Sequence, residues 1–195
     1  MQQIKKIGNS FWYMTPVSET DRPILGMVVG QEKTLMIDAG NSEEHAQLFL
    51  EMLKEQNVSN PDFVALTHWH WDHIFGLPVL QDALSIAHSE TKKEIRTLVS
   101  YEWTDEALDA RVKEGTEIAF CADCIKKEFE EKARNINIIP PTLTFQNQME
   151  LDLGEVTCVL KHVGGDHAHD SVVMYIKEEK ILFLGDCIYA DIFSS

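Results

Sequence analysis

The chain has 195 residues, seventeen Lys or Arg against thirty-two Asp or Glu, and a formal charge of −15; 44% of it is hydrophobic and 25% charged. That is enough length for one compact domain with its own core, and the composition excludes a disordered, collagenous or coiled-coil chain. The negative field repels phosphate backbones and anionic lipid, no apolar run reaches the roughly 20 residues of a membrane span, and Gly8-Asn9-Ser10 interrupts any export signal behind Lys5 and Lys6.

The expectation is a cytoplasmic protein acting on a small molecule, without nucleic-acid or membrane partners. Strand signals over Phe11 to Val17, Ile24 to Val29 and Thr34 to Ile37, punctuated by Asp21-Arg22-Pro23 and Gly30, predict an antiparallel meander. Ser42 can cap a helix that carries Glu43 and Glu44 in its first turn, and Ala46, Phe49, Leu50 and Leu53 recur at helical spacing to about Gln56. Phe63-Val64-Ala65-Leu66 is a continuous apolar run, as in a strand buried on both faces, and it leads directly into Thr67-His68.

A short strand is expected at Ser85 to Ala87. Beyond it, Glu90 to about Arg134 is charged and mostly helical, which reads as an excursion from the core. Residues 89–135 are therefore expected as a lid-like insertion within a single domain spanning 1–195. Strands return at Ile136 to Ile139, Met149 to Leu153, Val156 to Val163, Val172 to Ile176 and Ile181 to Leu184, with Glu178-Glu179 at a hairpin tip. This order suits an α/β architecture of two sheets covered outside by helices. The four cysteines are expected to be reduced. Cys121 and Cys124 form a CxxC without the second pair a zinc site needs, and Cys158 alternates with Val156 and Leu160 as a small core residue.

Three of the eight histidines stand within His68-Trp69-His70-Trp71-Asp72-His73. At a strand end, residues i and i+2 project the same way, so His68 and His70 can grip one metal ion while Asp72 and His73 serve a second. Two ions roughly 3.5–4 Å apart can share a hydroxide and polarise a substrate oxygen together.

These residues resemble the HxHxDH signature of the metallo-β-lactamase-fold superfamily, and the resemblance extends over nearly the whole chain. Asp38-Ala39-Gly40 is similar to the family's early aspartate turn, Gly165-Asp166-His167 with Asp170-Ser171-Val172 to its next histidine motif, and Leu184-Gly185-Asp186 to its bridging-aspartate motif. The resemblance implies a four-layer αβ/βα sandwich with a metal site at the sheet edges. It implies a first ion on His68, His70 and His167, and a second on Asp72 and His73, with Asp186 shared. It further implies a zinc-dependent hydrolase in which a bridging hydroxide attacks an ester, thioester, lactone or amide while Asp72 positions it and shuttles its proton. Iron or manganese are alternative metals.

Two departures from the family pattern matter. The histidine motif reads Gly165-Asp166-His167-Ala168-His169, so His162 and His169 compete with His167, which is favoured by its spacing to Asp170-Ser171-Val172. The family also carries a further ligand histidine downstream of the bridging aspartate, whereas nine residues follow Asp186 here, so the fold is expected to lack its C-terminal portion. That would leave a sheet edge open to self-association into a homo-oligomer. A mononuclear iron enzyme resembling persulfide dioxygenases, using His68, His167 and Asp186, is one alternative function, and a metal-binding but inactive truncated chain is another. Asp38 either orients a ligand histidine or simply forms the turn. Trp69 and Trp71 either wall the pocket or pack. His45 and His88 are expected at the surface or at strand ends, and Cys187 is expected to point away from Asp186.

Overall fold

A computed structural model describes residues 2–129 and 134–188. Part of the helical stretch expected to reach Arg134, namely residues 130–133, lies outside the described residues, as does the chain beyond 188. The first sheet has seven strands in sequence order: β1 (Ile4–Ile7), β2 (Phe11–Met14), β3 (Leu25–Val29), β4 (Thr34–Ile37), β5 (Phe63–Ala65), β6 (Leu84–His88) and β7 (Leu143–Phe145). Pairing is antiparallel from β1 to β4, which is the expected meander, and parallel from β4 to β7. The second sheet is antiparallel, in the order β11 (Ile181–Phe183), β10 (Val172–Ile176), β9 (Thr157–His162), β8 (Gln148–Asp152).

The helix α1 (Glu43–Glu55) connects β4 to the parallel β5, so the strand, helix, strand reading holds. Ser42 Oγ accepts the His45 amide at 3.0 Å, satisfying one of the free amides of the first turn, a contact typically worth about 1 kcal/mol. Its Phe49 and Leu53 pack on Met27, Met36 and Val64 from one face of the first sheet. The other face carries Val28, Leu35, Ile37 and Ala65 against Leu160, Val172, Met174 and Ile176 of the second sheet. Strands β3, β4 and β5 are thus covered on both sides, which is why they read as unbroken apolar runs. The far face of the second sheet leaves Tyr175 and Leu182 38% and 51% exposed. The outer helical layer expected there is not among the described residues.

The charged stretch resolves into α3 (Ser89–Leu98), α4 (Asp105–Glu114) and α5 (Ala119–Phe129). It departs less from the core than its charge suggests, because Ile95, Leu98, Leu108 and Ile125 are buried in the helix-side cluster. Ile136 to Ile139 is not a strand. The run ends against Pro140-Pro141, whose nitrogens cannot donate to a ladder, and its isoleucines pack as irregular chain against the core while Leu143–Phe145 takes the place beside β6. The strand β1 was hidden because Lys5 and Lys6 mark an exposed edge rather than an alternating face.

Candidate metal centre

The parallel strands β4 and β5 end side by side, and the turns beyond their carboxyl ends carry the chemistry, as in other open α/β sheets. After β4 the chain turns at Asp38, whose φ of 60° is one that Asp tolerates better than most residues. Beyond β5 it passes through Thr67 and His68 to His70, the N-cap of a one-turn helix, α2 (Trp71–Ile74), that holds Asp72 and His73. The two turns are locked together: Asp38 accepts the Thr67 amide at 2.7 Å and faces His73 Nδ1 at 2.8 Å, and Ala39 N–H donates to the His73 carbonyl at 2.8 Å. From the second sheet, the Val172 amide donates to the Thr67 carbonyl at 2.8 Å. Gly185 (φ 53°) presses on the same residue, and a Cβ there would meet the Thr67 Cβ at 2.9 Å. This close approach is what delivers Asp186 to the histidines.

The tautomers follow from the network. Thr67 Oγ1 donates to Asp38 Oδ2 at 2.8 Å, so its oxygen accepts from His68 Nδ1–H at 3.1 Å, and His73 Nδ1–H donates to Asp38. His68 then turns an Nε2 lone pair toward the centre, and His73 turns its Nε2 the same way. His68 and His167 Nε2 are 3.2 Å apart, and the His70 ring lies 4.5 Å from each of those two rings, centroid to centroid. Candidate ligand atoms of His68, His70 and His167 lie within 4.8 Å of one another, as do those of His68, His73 and Asp186. His68 belongs to both groups. His73 Nε2 is buried without an aligned hydrogen bond and faces Asp72 Oδ2 at 3.0 Å and Asp186 Oδ2 at 3.5 Å.

Electrostatics suits a cation. Burial, helped by the neighbouring His73, drives His68 far below the usual histidine value, and burial with His167 lowers His70 to about 4, so both are neutral at pH 7. Burial also pulls on His73, but the carboxylates of Asp72 and Asp38 outweigh it and hold His73 well above its ordinary value. Burial would raise Asp186, yet contact with His73 and the charge of His167 keep it low. Imidazole nitrogens of His68 and His167 only 3.2 Å apart, beside His73 Nε2 and the carboxylates of Asp72 and Asp186, are a donor set that a divalent ion fits.

Of the six residues expected to ligate metal, His68, His70, His73, His167 and Asp186 fall in these two groups, and Asp72 lies beside them, 3.0 Å from His73 Nε2. The rival histidines do not join them. His162 Nε2–H donates to the His169 carbonyl at 2.9 Å while its ring stacks on His88, and the His169 side chain faces Glu94 at 3.5 Å. Asp38 both forms the turn and orients the His73 ring. His88 ends β6, one of the two places expected for it, whereas His45 is neither at the surface nor at a strand end; both are buried. His45 lies four residues before Phe49, on the core face of α1, and burial lowers it to about 3; His88 caps α3 and donates to the Gln146 carbonyl at 2.7 Å. Cys121, Cys124 and Cys187 are free thiols and belong to neither ligand group.

Two cavities meet at the centre. One of about 690 Å³ is lined by Trp69, His70, Trp71 and His167, and one of about 720 Å³ by His73 and residues of β2 and β11; Asp72 and Asp186 line both. Asp21 lines both as well, in a loop read from sequence only as a turn, and burial with the charges of Asp72 and Asp186 raises its carboxyl to about 6.

The sequence model of the metallo-β-lactamase superfamily matches residues 22–193. The chain belongs to that superfamily. It is 26% identical over 197 residues to the human (Homo sapiens) protein named acyl-coenzyme A thioesterase MBLAC2, an alignment covering 95% of this chain and 66% of the relative. It therefore spans slightly less than two thirds of that relative's length. Solved structures share the fold. A metallo-β-lactamase from Pontibacter korlensis superposes with a TM-score of 0.62 at 18% identity, covering 93% of this chain and 70% of its own. DIM-1 metallo-β-lactamase gives 0.64 at 18% identity, covering 100% and 73%. The fold of this superfamily is thus the fold of this chain, with helices, among the described residues, on the outer face of the first sheet only. Among the described residues no helix is long and apolar enough to cross a membrane.

Proposed function

We propose that the chain carries the metal centre of a hydrolase that cleaves a small-molecule thioester or related acyl compound, with zinc as the metal. The observation that carries this reading is the convergence of His68, His70 and His167 on one point, with His68 shared by a second group containing His73 and Asp186. The curated relatives named as acyl-coenzyme A thioesterases favour a thioester among acyl substrates.

His68, His70 and His167 would hold a first ion, and Asp72, His73 and Asp186 a second. A bound pair of such ions supplies an activated water and Lewis-acid polarisation of the carbonyl oxygen. The protein's own part is orientation and proton traffic. Asp38 and Thr67 fix the imidazoles so that their Nε2 atoms need no reorganisation. Asp72, with Oδ2 at 3.0 Å from His73 Nε2 and an edge in both cavities, is placed to orient the attacking water, take its proton and return it to the leaving thiolate. The iron reading on His68, His167 and Asp186 ranks second, because His70 sits as close to the first group as His167 does. The connection around α4 and α5, with its edge in the same cavity as Trp69, serves as the lid over the acyl substrate.

Chelator treatment followed by zinc addition tests the reading. Thioester hydrolysis should disappear with the metal and return with it; hydrolysis indifferent to chelation, or an iron-dependent consumption of oxygen, overturns it.

A further inference from the structure

The cavity beside His70 and His167 has two chemically distinct walls. Trp69, Leu98, Trp103, Ile118 and Phe120 form the apolar wall, from the turn after β5, the end of α3, the α3–α4 connection, the α4–α5 connection and the first turn of α5. Leu98 and Trp103 are buried, whereas Ile118 and Phe120 are 62% and 55% exposed. Two large apolar side chains held in water next to a polar centre gain stability when something apolar covers them. The charged wall is entirely acidic: Asp21, Asp72, Glu117, Asp166 and Asp186, with no Lys or Arg among the described residues that line the cavity.

The geometry points to this groove as the acyl subsite: the α4–α5 connection and the start of α5 hold the apolar acyl chain of the thioester between Trp69 and Ile118 with Phe120, and the anionic end of a nucleotide-bearing substrate lies outside. The inference deepens the hydrolase reading and rests on it. An acyl chain leaving the carbonyl at the His70–His167 edge meets aromatic and aliphatic surface at once, while phosphate groups carried along the same groove away from the metal centre would face Asp21, Glu117 and Asp166 and no Lys or Arg. The site thereby assigns the two ends of its substrate. Ile118 and Phe120 are specificity-determining residues, since each methylene that reaches them is removed from water.

The test is a series of thioesters from acetyl to dodecanoyl on N-acetylcysteamine and on coenzyme A, with uncleavable ketone analogues of the same chain lengths measured by calorimetry. For the wild-type protein kcat/KM should rise about threefold per added methylene until the groove is filled. Phe120→Glu and Phe120→Lys should both lower the octanoyl-to-acetyl ratio by about tenfold. Val99→Glu, a similarly exposed apolar position outside the cavity, should leave the ratio in place. If Phe120→Lys instead tightens coenzyme A thioesters selectively, the groove takes the nucleotide end and the assignment is overturned. A flat chain-length profile, in turnover or in analogue binding, overturns it too. Analogue binding that depends on chain length and on Phe120, without cleavage of any thioester, upholds the groove and overturns the hydrolase reading instead.

Discussion

The Asp38 carboxylate lies 2.8 Å from Nδ1 of His73 and also accepts the Thr67 amide, so one buried side chain ties the end of β4 to the histidine-bearing turn after β5. Replacing it by Asn keeps the shape and tolerates the positive φ but removes the charge. Asp38→Asn should weaken metal binding by about 10- to 100-fold with little loss of fold, as is usual when the partner of a ligand histidine is removed. Competition with a coloured chelator, alongside circular dichroism, measures both quantities.

Gly185 is the contact that carries Asp186 to the centre. Gly185→Ala places a methyl 2.9 Å from the Thr67 Cβ at a φ of 53°, so the β11 end must shift. Metal titration should show that Gly185→Ala weakens or abolishes binding at the His73–Asp186 side, while the first sheet keeps its thermal transition within a few degrees of the wild type.

The pH response contains a part unrelated to the metal. His45 is buried and neutral, with its value lowered from 6.5 to about 3 by burial and then by Arg22. Between those values the unfolded chain binds a proton that the folded one refuses. The stability His45 allows is therefore complete above about pH 6.5 and is lost as pH falls, by about 1.4 kcal/mol per unit within the window. Urea midpoints from pH 7 to pH 4 should fall less steeply for His45→Gln than for the wild type.

The core on the helix side depends on α1. Phe49 is fully buried against the first sheet, and Phe49→Ala should cost about 3–5 kcal/mol, read from denaturant unfolding.

Much of this was legible in the sequence for physical reasons. The strands β3, β4 and β5, covered on both faces, advertise themselves as apolar runs, and the ligand spacing from His68 to His73 is dictated by a strand end followed by a single helical turn. What was hidden is what depends on tertiary pairing. The edge strand β1 has two lysines and no alternation. The Ile136 to Ile139 run has strand propensity but ends on prolines. His45 needed its helical phase with Phe49 to be weighed above its polarity. Thr67, the residue on which Asp38, His68, Val172 and Gly185 all converge, carries no signal of its own, because a threonine's role as a hub exists only once both sheets are assembled.

The most direct measurement is the metal-to-chain ratio of the purified protein and of its His68→Ala and His70→Ala variants. Because His68 and His70 both belong to the first ligand group, the wild type should carry about two zinc ions per chain, and His68→Ala and His70→Ala should each lose at least one of them. A His68→Ala variant that retains the wild-type complement would contradict the assignment of this cluster as the metal centre.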